Sequence, residues 1–386
     1  MTPLVSSLFL AGALRGSLEL SDRTEARVTG TTNPTTYSAE VMTNPSGLVR
    51  FGTRRFEIAA GYAPSLTLRG LGIDPVFDAL HRGSLDLSIT ANRRLVLTAS
   101  GDVSYGTFRF LSAALPEADF ASVDSIDTLP DADTVTYGSI GASIGARYIA
   151  SRRLRLDALA EYQRSGGVGD ASIAIYPQTA GPRAHIAAEF AFTRKDSARS
   201  TAEATWVTFS TGEESMLVQL SEAWLHRITR ATTSTFGLGA ALDSSRRSAG
   251  AASRTIIYPV AEAAVAHEVP EKQVELGLAL RVEPVIDRLR GEVDPRLLLD
   301  ASATVQATRR LSIYGRTGAA QSLQVSEPEA LTMAYGEAGA GIRIADWFEL
   351  VNGTRAAYQF RSETEPHRLH WMIFSGATFT APRIRF

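Results

Sequence analysis

The sequence predicts an all-β chain, a single antiparallel up-and-down β-barrel of about 18 strands, and three observations predict it. Apolar and polar residues alternate with a period of two almost throughout, tight charged turns alternate with longer loops, and helical periodicity is nearly absent. Composition agrees. Hydrophobic residues make up 44% and the formal net charge is -2, with a mean hydropathy of -0.03, which excludes a disordered tail and the positive field of a nucleic-acid binder. No run of 18 apolar residues exists, so no helix spans a membrane. The absence of cysteine removes disulfide scaffolds, thiol catalysis and cysteine metal sites together.

Residues 1–15 read as the remnant of a secretory signal, "MTPLVSSLFLAGALR", with Ala11-Gly12-Ala13 as an A-x-A-like cleavage site, although no Lys or Arg precedes the apolar run. Residues 16–386 form the barrel, beginning with a strand near Gly16 to Val28. "RFEIAAGYAPSLTL" then sets Phe56, Ile58, Ala60, Tyr62, Leu66 and Leu68 against Glu57, Gly61, Ser65 and Thr67. "PVFDALHR" is the best candidate for a short helix, in a connection. "SLDLSIT" sets Leu85, Leu87 and Ile89 against Asp86, Ser88 and Thr90. "RRLVLTASGDVSYG" sets Leu95, Leu97, Ala99, Val103 and Tyr105 against Thr98, Ser100, Asp102 and Ser104, and "VELGLALRV" repeats the pattern from Val274 to Val282.

Tight turns, most bearing Arg, recur at "GTRR" (52–55), "ANRR" (91–94), "ASRR" (150–153), "TRKDS" (193–197), "RITRA" (227–231), "VPEKQ" (269–273), "ATRR" (307–310) and "ADW" (345–347). Longer loops rich in Gly, Pro, Asp and Ser lie between them. These turns join about sixteen strands, and a first and a last strand bring the count to about 18, both termini falling on the short-turn side; a count of about 16 follows if those two are misread. Roughly 21 residues per strand and connection suit strands of roughly 9 to 11 residues tilted across a bilayer. Closure satisfies every backbone polar group in lipid, so the barrel is read as transmembrane, with its apolar face on hydrocarbon.

Tyr62, Tyr105, Tyr162 and Tyr358 are spaced as an outer aromatic girdle, and Trp224 and Trp347 lie at the turn end as an inner one. The chain closes on "HWMIFSGATFTAPRIRF". Here it resembles the bacterial outer-membrane β-barrel, porin-like family, whose last strand ends in phenylalanine as the assembly signal; Phe386 matches that position, while Pro382 interrupts the alternation. The resemblance implies the bacterial outer membrane as location, short periplasmic turns, longer extracellular loops, and outer-membrane lipid and the barrel-assembly machinery as partners. In architecture and in its Arg-rich, Lys-poor composition the chain also looks like the 18-stranded outer-membrane porins of polysaccharide-export pathways, which implies a periplasmic polysaccharide-export protein as a further partner.

Alternation places Glu57, Asp86, Asp102, Arg147, Arg155, Asp157, Glu161, Glu189, Glu203, Glu275, Arg281, Asp300, Arg316, Glu337, Arg343, Glu349 and Arg355 toward the lumen as candidate pore-lining residues. An 18-stranded barrel is too wide for side chains to fill. The charges read either as a hydrated, salt-bridged wall or as a tuned translocation path. The longest connection, residues 106–134, is a candidate gating loop through Phe108, Phe110, Glu117, Asp119, Asp124 and Asp127; ordinary solvated loop and calcium site are its other readings. The turn arginines Arg54, Arg55, Arg93, Arg94, Arg152, Arg153, Arg309 and Arg310 would form a basic periplasmic rim. No catalytic, metal or cofactor set is expected: "GASIG" places Ser143 mid-strand rather than on a nucleophile elbow, His367 and His370 lack a third ligand, and no nucleotide motif occurs. Three functions follow: a translocation pore for an exported polysaccharide, a general diffusion porin for small hydrophilic solutes, or a structural or adhesive surface barrel with a plugged lumen. Enzyme activity and nucleic-acid binding are not expected.

Overall fold

The computed structural model describes residues 15–32, 35–70, 76–108, 134–246, 254–269, 273–287, 292–323, 332–360 and 367–386. The strands run β1 (Arg15–Thr31), β2 (Thr36–Gly52), β3 (Phe56–Tyr62), β4 (Ser65–Arg69), β5 (Val76–Asn92), β6 (Leu95–Phe108) and β7 (Val135–Ile149). They continue with β8 (Leu154–Gly167), β9 (Thr179–Ala191), β10 (Asp196–Phe209), β11 (Glu214–Arg227), β12 (Thr232–Arg246) and β13 (Arg254–Val269). The last are β14 (Val274–Asp287), β15 (Glu292–Gln306), β16 (Leu311–Ser322), β17 (Thr332–Ala345), β18 (Phe348–Phe360), β19 (Arg368–Thr380) and β20 (Ile384–Arg385).

Neighbours in sequence pair antiparallel, and β1 pairs with both β2 and β19, which closes the wall. The wall has 18 strands, because β3 and β4 are one strand broken at Ala63-Pro64 and β20 continues β19 beyond Pro382. Pro64 has no N–H to give to the ladder, so pairing lapses there; the Ala63 N–H still donates to the Arg82 carbonyl at 2.9 Å. After Pro382 the chain returns to β1, pairing Ile384 with Leu18 and Arg385 with Ser17. The stretch "PVFDALHR" is not helical. It belongs to β5, where pairing with β4 and β6 holds it extended: Phe77, Ala79 and His81 point to one face, Asp78, Leu80 and Arg82 to the other. The described helix, α1 (Asp170–Ile175), instead lies in the connection between β8 and β9.

All eight predicted turns are short connections, two to four residues long, at one end of the barrel; at the other end the β1–β2, β10–β11 and β14–β15 connections are also four residues long and the rest are longer. In many of the eight the residue before the basic pair accepts the next amides. Asn92 Oδ1 takes the N–H of Arg94 (2.8 Å) and Leu95 (3.0 Å); Ser151, Thr193, Thr229 and Thr308 hydroxyls do the same in their turns. This side-chain mimicry of a backbone turn is what lets strands reverse so tightly. Asn92→Ala removes two such bonds, and equilibrium urea unfolding in detergent is expected to show a loss of about 1 kcal/mol.

The outward face carries the exposed large apolar residues, among them Leu85, Val103, Ile144, Ile186, Leu220, Leu238, Leu278 and Ile373. Tyr62, Tyr105 and Tyr162 are exposed toward one end of this face, and Trp224 and Trp347 toward the other. Tyr358 is half-buried, edge-on to Phe360 with centroids 4.6 Å apart. A surface inverted in this way, apolar outside and charged inside, is the stable arrangement only where the outside solvent is hydrocarbon.

Candidate functional site

The strand registers collect the sequence's candidate residues on the inner face, in three sectors. In the middle of β5, β6 and β7 the inward positions are hydroxyls, glycines and aspartates, flanked by Arg82 toward one end and by Val96 and Arg147 toward the other. Ser84 pairs with Asp102 and Asp102 with Gly141; Asp86 pairs with Ser100 and Ser100 with Ser143; Ser88 pairs with Thr98 and Thr98 with Gly145. The Ser100 and Ser143 hydroxyls share a 2.7 Å hydrogen bond. Asp86 and Asp102 are exposed and make no ion pair among the described residues. The strip is smooth, since no side chain on it is larger than aspartate or threonine.

Beside it, β7 to β10 carry a ladder of ion pairs. Arg147 Nε donates to Asp157 at 2.8 Å, and Arg155 reaches Asp157 (3.3 Å) and Glu189 (2.9 Å). Arg183 donates twice to Glu203, at 2.8 and 2.9 Å, and once to Glu161 at 3.2 Å. The carboxylates sit deeper than their partners: the Arg147 side chain is 64% exposed and that of Asp157 31%. The ladder therefore presents guanidinium edges to water while its net charge is cancelled. Part of it walls a cavity of about 450 Å³ with Arg147, Arg155, Asp157, His185, Glu189 and Arg199.

The third sector spans β13 to β19. Arg316 clamps Asp300 with two 2.9 Å hydrogen bonds, and the Tyr335 hydroxyl donates to the same carboxylate at 2.8 Å. Arg355 reaches Glu337 at 2.9 Å and lies over the Phe374 ring, 4.8 Å from its centroid. Arg281 approaches Glu283 at 4.0 Å. Glu275 faces Glu268 across the ladder, and Arg343 faces Glu349, without an ion pair in either case among the described residues. Glu57 lies 3.6 Å from Arg50 near the β2–β3 turn.

The inner face is not uniform along the barrel axis. Toward the long connections its side chains are buried on strand after strand: Glu25 and Arg27, Glu40, Asp78, Leu217, Asp243, Asp294 and Arg296, Met333, Gln359, Met372. Toward the short turns they are half-buried or exposed. The accessible part of the inner face therefore lies toward the short-turn end. The buried half contains ion clusters that alternation did not single out, Arg296 with Asp294 (2.8 Å) and Asp287 (3.2 Å), Arg27 with Glu25 (2.6 Å), and Arg69 with Asp78 (2.7 Å). Their signal in the sequence is opposite charge at i, i+2, as in Glu25-Ala26-Arg27 and Asp294-Pro295-Arg296, which puts both groups on one face of a strand.

Of the candidate gating loop, Phe108 ends β6 opposite Val135; Phe110, Glu117, Asp119, Asp124 and Asp127 lie outside the described residues, as do residues 1–14 of the expected signal. Phe386 exchanges backbone hydrogen bonds with Gly16 (2.7 and 3.1 Å) and meets the Phe51 ring edge-on at 5.5 Å. Ser143 faces inward in mid-strand, and His370 is buried on the inner face beside Gln359.

Residues 21–382 match the model of the EpsX exopolysaccharide export family. Among solved structures, the copper transporter OprC is similar over 90% of this chain and 62% of its own, at 10% identity and a TM-score of 0.50. The FrpB iron transporter from Neisseria meningitidis is similar over 90% of this chain, with 63% of its own length, 10% identity and a TM-score of 0.55 in the F3-3 variant. In its F5-1 variant the figures are 64%, 9% and 0.56. The chain thus spans less than two thirds of the length of these barrels, and the likeness is one of fold. No curated protein matches the sequence.

Proposed function

The chain belongs to the EpsX exopolysaccharide export family and is an outer-membrane β-barrel channel, and from that premise we propose that its inner face is the outer-membrane path of an exported polysaccharide handed over by a periplasmic export protein. The observation that carries this reading is the strip of hydroxyls, glycines and two unpaired aspartates on β5 to β7, beside the ion-pair ladder of β7 to β10. A sugar polymer moves by exchanging one hydrogen bond for another of similar strength. Small side chains, hydroxyls and carboxylates supply such partners without a deep well in which a sugar would stall. Export needs a mouth open to the side where the polymer arrives, and the accessible part of the inner face lies toward the short-turn end, periplasmic in barrels of this kind. The chain has no nucleotide motif, so the driving force comes from the polymer's own synthesis and its periplasmic carrier.

Single-channel recording in a planar bilayer tests the reading. The buried extracellular half predicts a barrel closed most of the time with discrete openings, and long neutral sugar polymers added on the periplasmic side are expected to block the open current. Openings that pass small solutes but ignore polymers of every length would make it a diffusion porin. A current that stays at zero under all conditions would make it a structural barrel.

A further inference from the structure

A second cavity, of about 880 Å³, lies at the short-turn mouth where the two ends of the chain meet. It is walled by the start of β1, the end of β2 with its turn, and the C-terminal tail, and five arginines converge on it: Arg15, Arg50, Arg54, Arg383 and Arg385. Two are partly engaged. Arg50 lies 3.6 Å from Glu57, while its Nε is buried without a hydrogen-bond partner. Arg383 reaches Glu19 at 3.2 Å and the Ser17 hydroxyl at 2.9 Å. The side chains of Arg15, Arg54 and Arg385 are exposed and make no ion pair or hydrogen bond among the described residues. Elsewhere on the open inner face the arginines of the β7 to β10 ladder are matched by carboxylates, and Arg82 and Arg343 stand singly, so a concentration of unmatched guanidinium groups is local to this cavity.

We propose that this cavity is the docking site for an acidic, carboxylate-bearing segment of the periplasmic partner protein; the inference rests on the handover reading above. A guanidinium fork binds a carboxylate through two parallel hydrogen bonds, and several forks around one cavity select a chain of carboxylates over a lone ion. The volume is that of a ligand site able to take several side chains, far more than one phosphate fills. Arg15, Arg50 and Glu57 belong to the inner face, while Phe51 and Phe386 of the cavity wall point outward with their rings in edge-on contact, so these guanidinium groups face the mouth of the barrel rather than the hydrocarbon. The turn arginines Arg54, Arg55, Arg93, Arg94, Arg152, Arg153, Arg309 and Arg310 repeat the same sign around the mouth, which steers an acidic partner toward it. The site also binds the partner off the polymer path, beside the strip and the ladder and outside both.

The test uses the full refolded barrel in lipid nanodiscs, with a fluorescein-labelled ten-residue Glu/Asp-rich peptide as probe, read by anisotropy. The peptide is expected to bind with an affinity that falls steeply with salt, and the charge-reversal variant Arg15→Glu/Arg54→Glu/Arg385→Glu to bind it at least about tenfold more weakly. Arg54→Glu alone, in an exposed turn outside the strand pairing, is expected to weaken binding several-fold and keeps the test valid if the triple variant fails to fold. Equal binding to wild type and variants would overturn the proposal. So would competition by a polyuronate oligosaccharide at lower concentration than the peptide, which would make the cavity a polymer site. The two readings fail separately: polymer block without peptide binding leaves the export path and removes the docking site, and peptide binding without polymer block does the reverse.

Discussion

Replacing Arg296 by alanine is expected to lower the stability of the barrel by about 3–5 kcal/mol, enough to prevent refolding under conditions in which the wild type refolds. The guanidinium is 1% exposed and sits between two carboxylates, Asp294 at 2.8 Å and Asp287 at 3.2 Å, whose side chains are 5% and 2% exposed. Ser322 donates to Asp294 at 2.6 Å, so the group is held by hydrogen bonds as well as by charge. Removing the cation leaves two anions in a region water does not reach, and it is their lost compensation, more than the lost attraction, that costs stability. The control is Arg296→Met combined with Asp287→Asn and Asp294→Asn, which removes the charges together and is expected to recover most of the loss. Urea unfolding followed by the heat-modifiable gel shift of the folded barrel measures both. If Arg296→Ala matched the wild type, the buried half would have to be hydrated.

Neutralising Asp86 and Asp102 together should have the largest effect on permeation. In the ladder each arginine is offset by a deeper carboxylate, whereas Asp86, Asp102 and Glu275 face the lumen without a counter-charge among the described residues. The open state is therefore expected to prefer cations, by roughly two- to fivefold at low salt, because a low-dielectric wall focuses the field of unpaired groups into the lumen. Asp86→Asn/Asp102→Asn should bring the ratio toward unity, while Arg183→Ala, which frees Glu203 and Glu161, should raise it. Reversal potentials under a salt gradient give the ratio directly. Anion preference in the wild type would mean that the guanidinium edges outweigh the free carboxylates.

The alternation that carried the fold was legible because contact with lipid acts on one residue at a time. Leu85, Leu87 and Ile89 must be apolar whatever strand lies beside them, and the short turns announce themselves by their Thr, Ser or Asn before basic residues. The error over "PVFDALHR" shows where this local reading ends. Eight residues with Phe77, Ala79 and His81 on one side satisfy a short helix nearly as well as a strand, and it is hydrogen bonding to β4 and β6 that selects the strand. The inner face was legible as a set of positions but not as a set of partners. That Arg183 serves both Glu203 and Glu161 depends on the registers of three strands, and a slip of one residue would send each side chain to the other face.

The arginine cavity at the seam joins residues near position 15 to residues near position 385, so no local pattern contains it. The same holds for the burial of the half toward the long connections, where nothing in the local pattern sets Arg296 and Glu25 apart until the surrounding wall is in place. Barrel class, approximate strand number, the positions of the short turns and the C-terminal phenylalanine were written in the order of residues, since period two and turn chemistry are short-range requirements of a chain crossing lipid. Which inward charges are paired, which stay free, and which are buried came only with closure of the barrel, because those properties belong to pairs of residues that distant strands bring together.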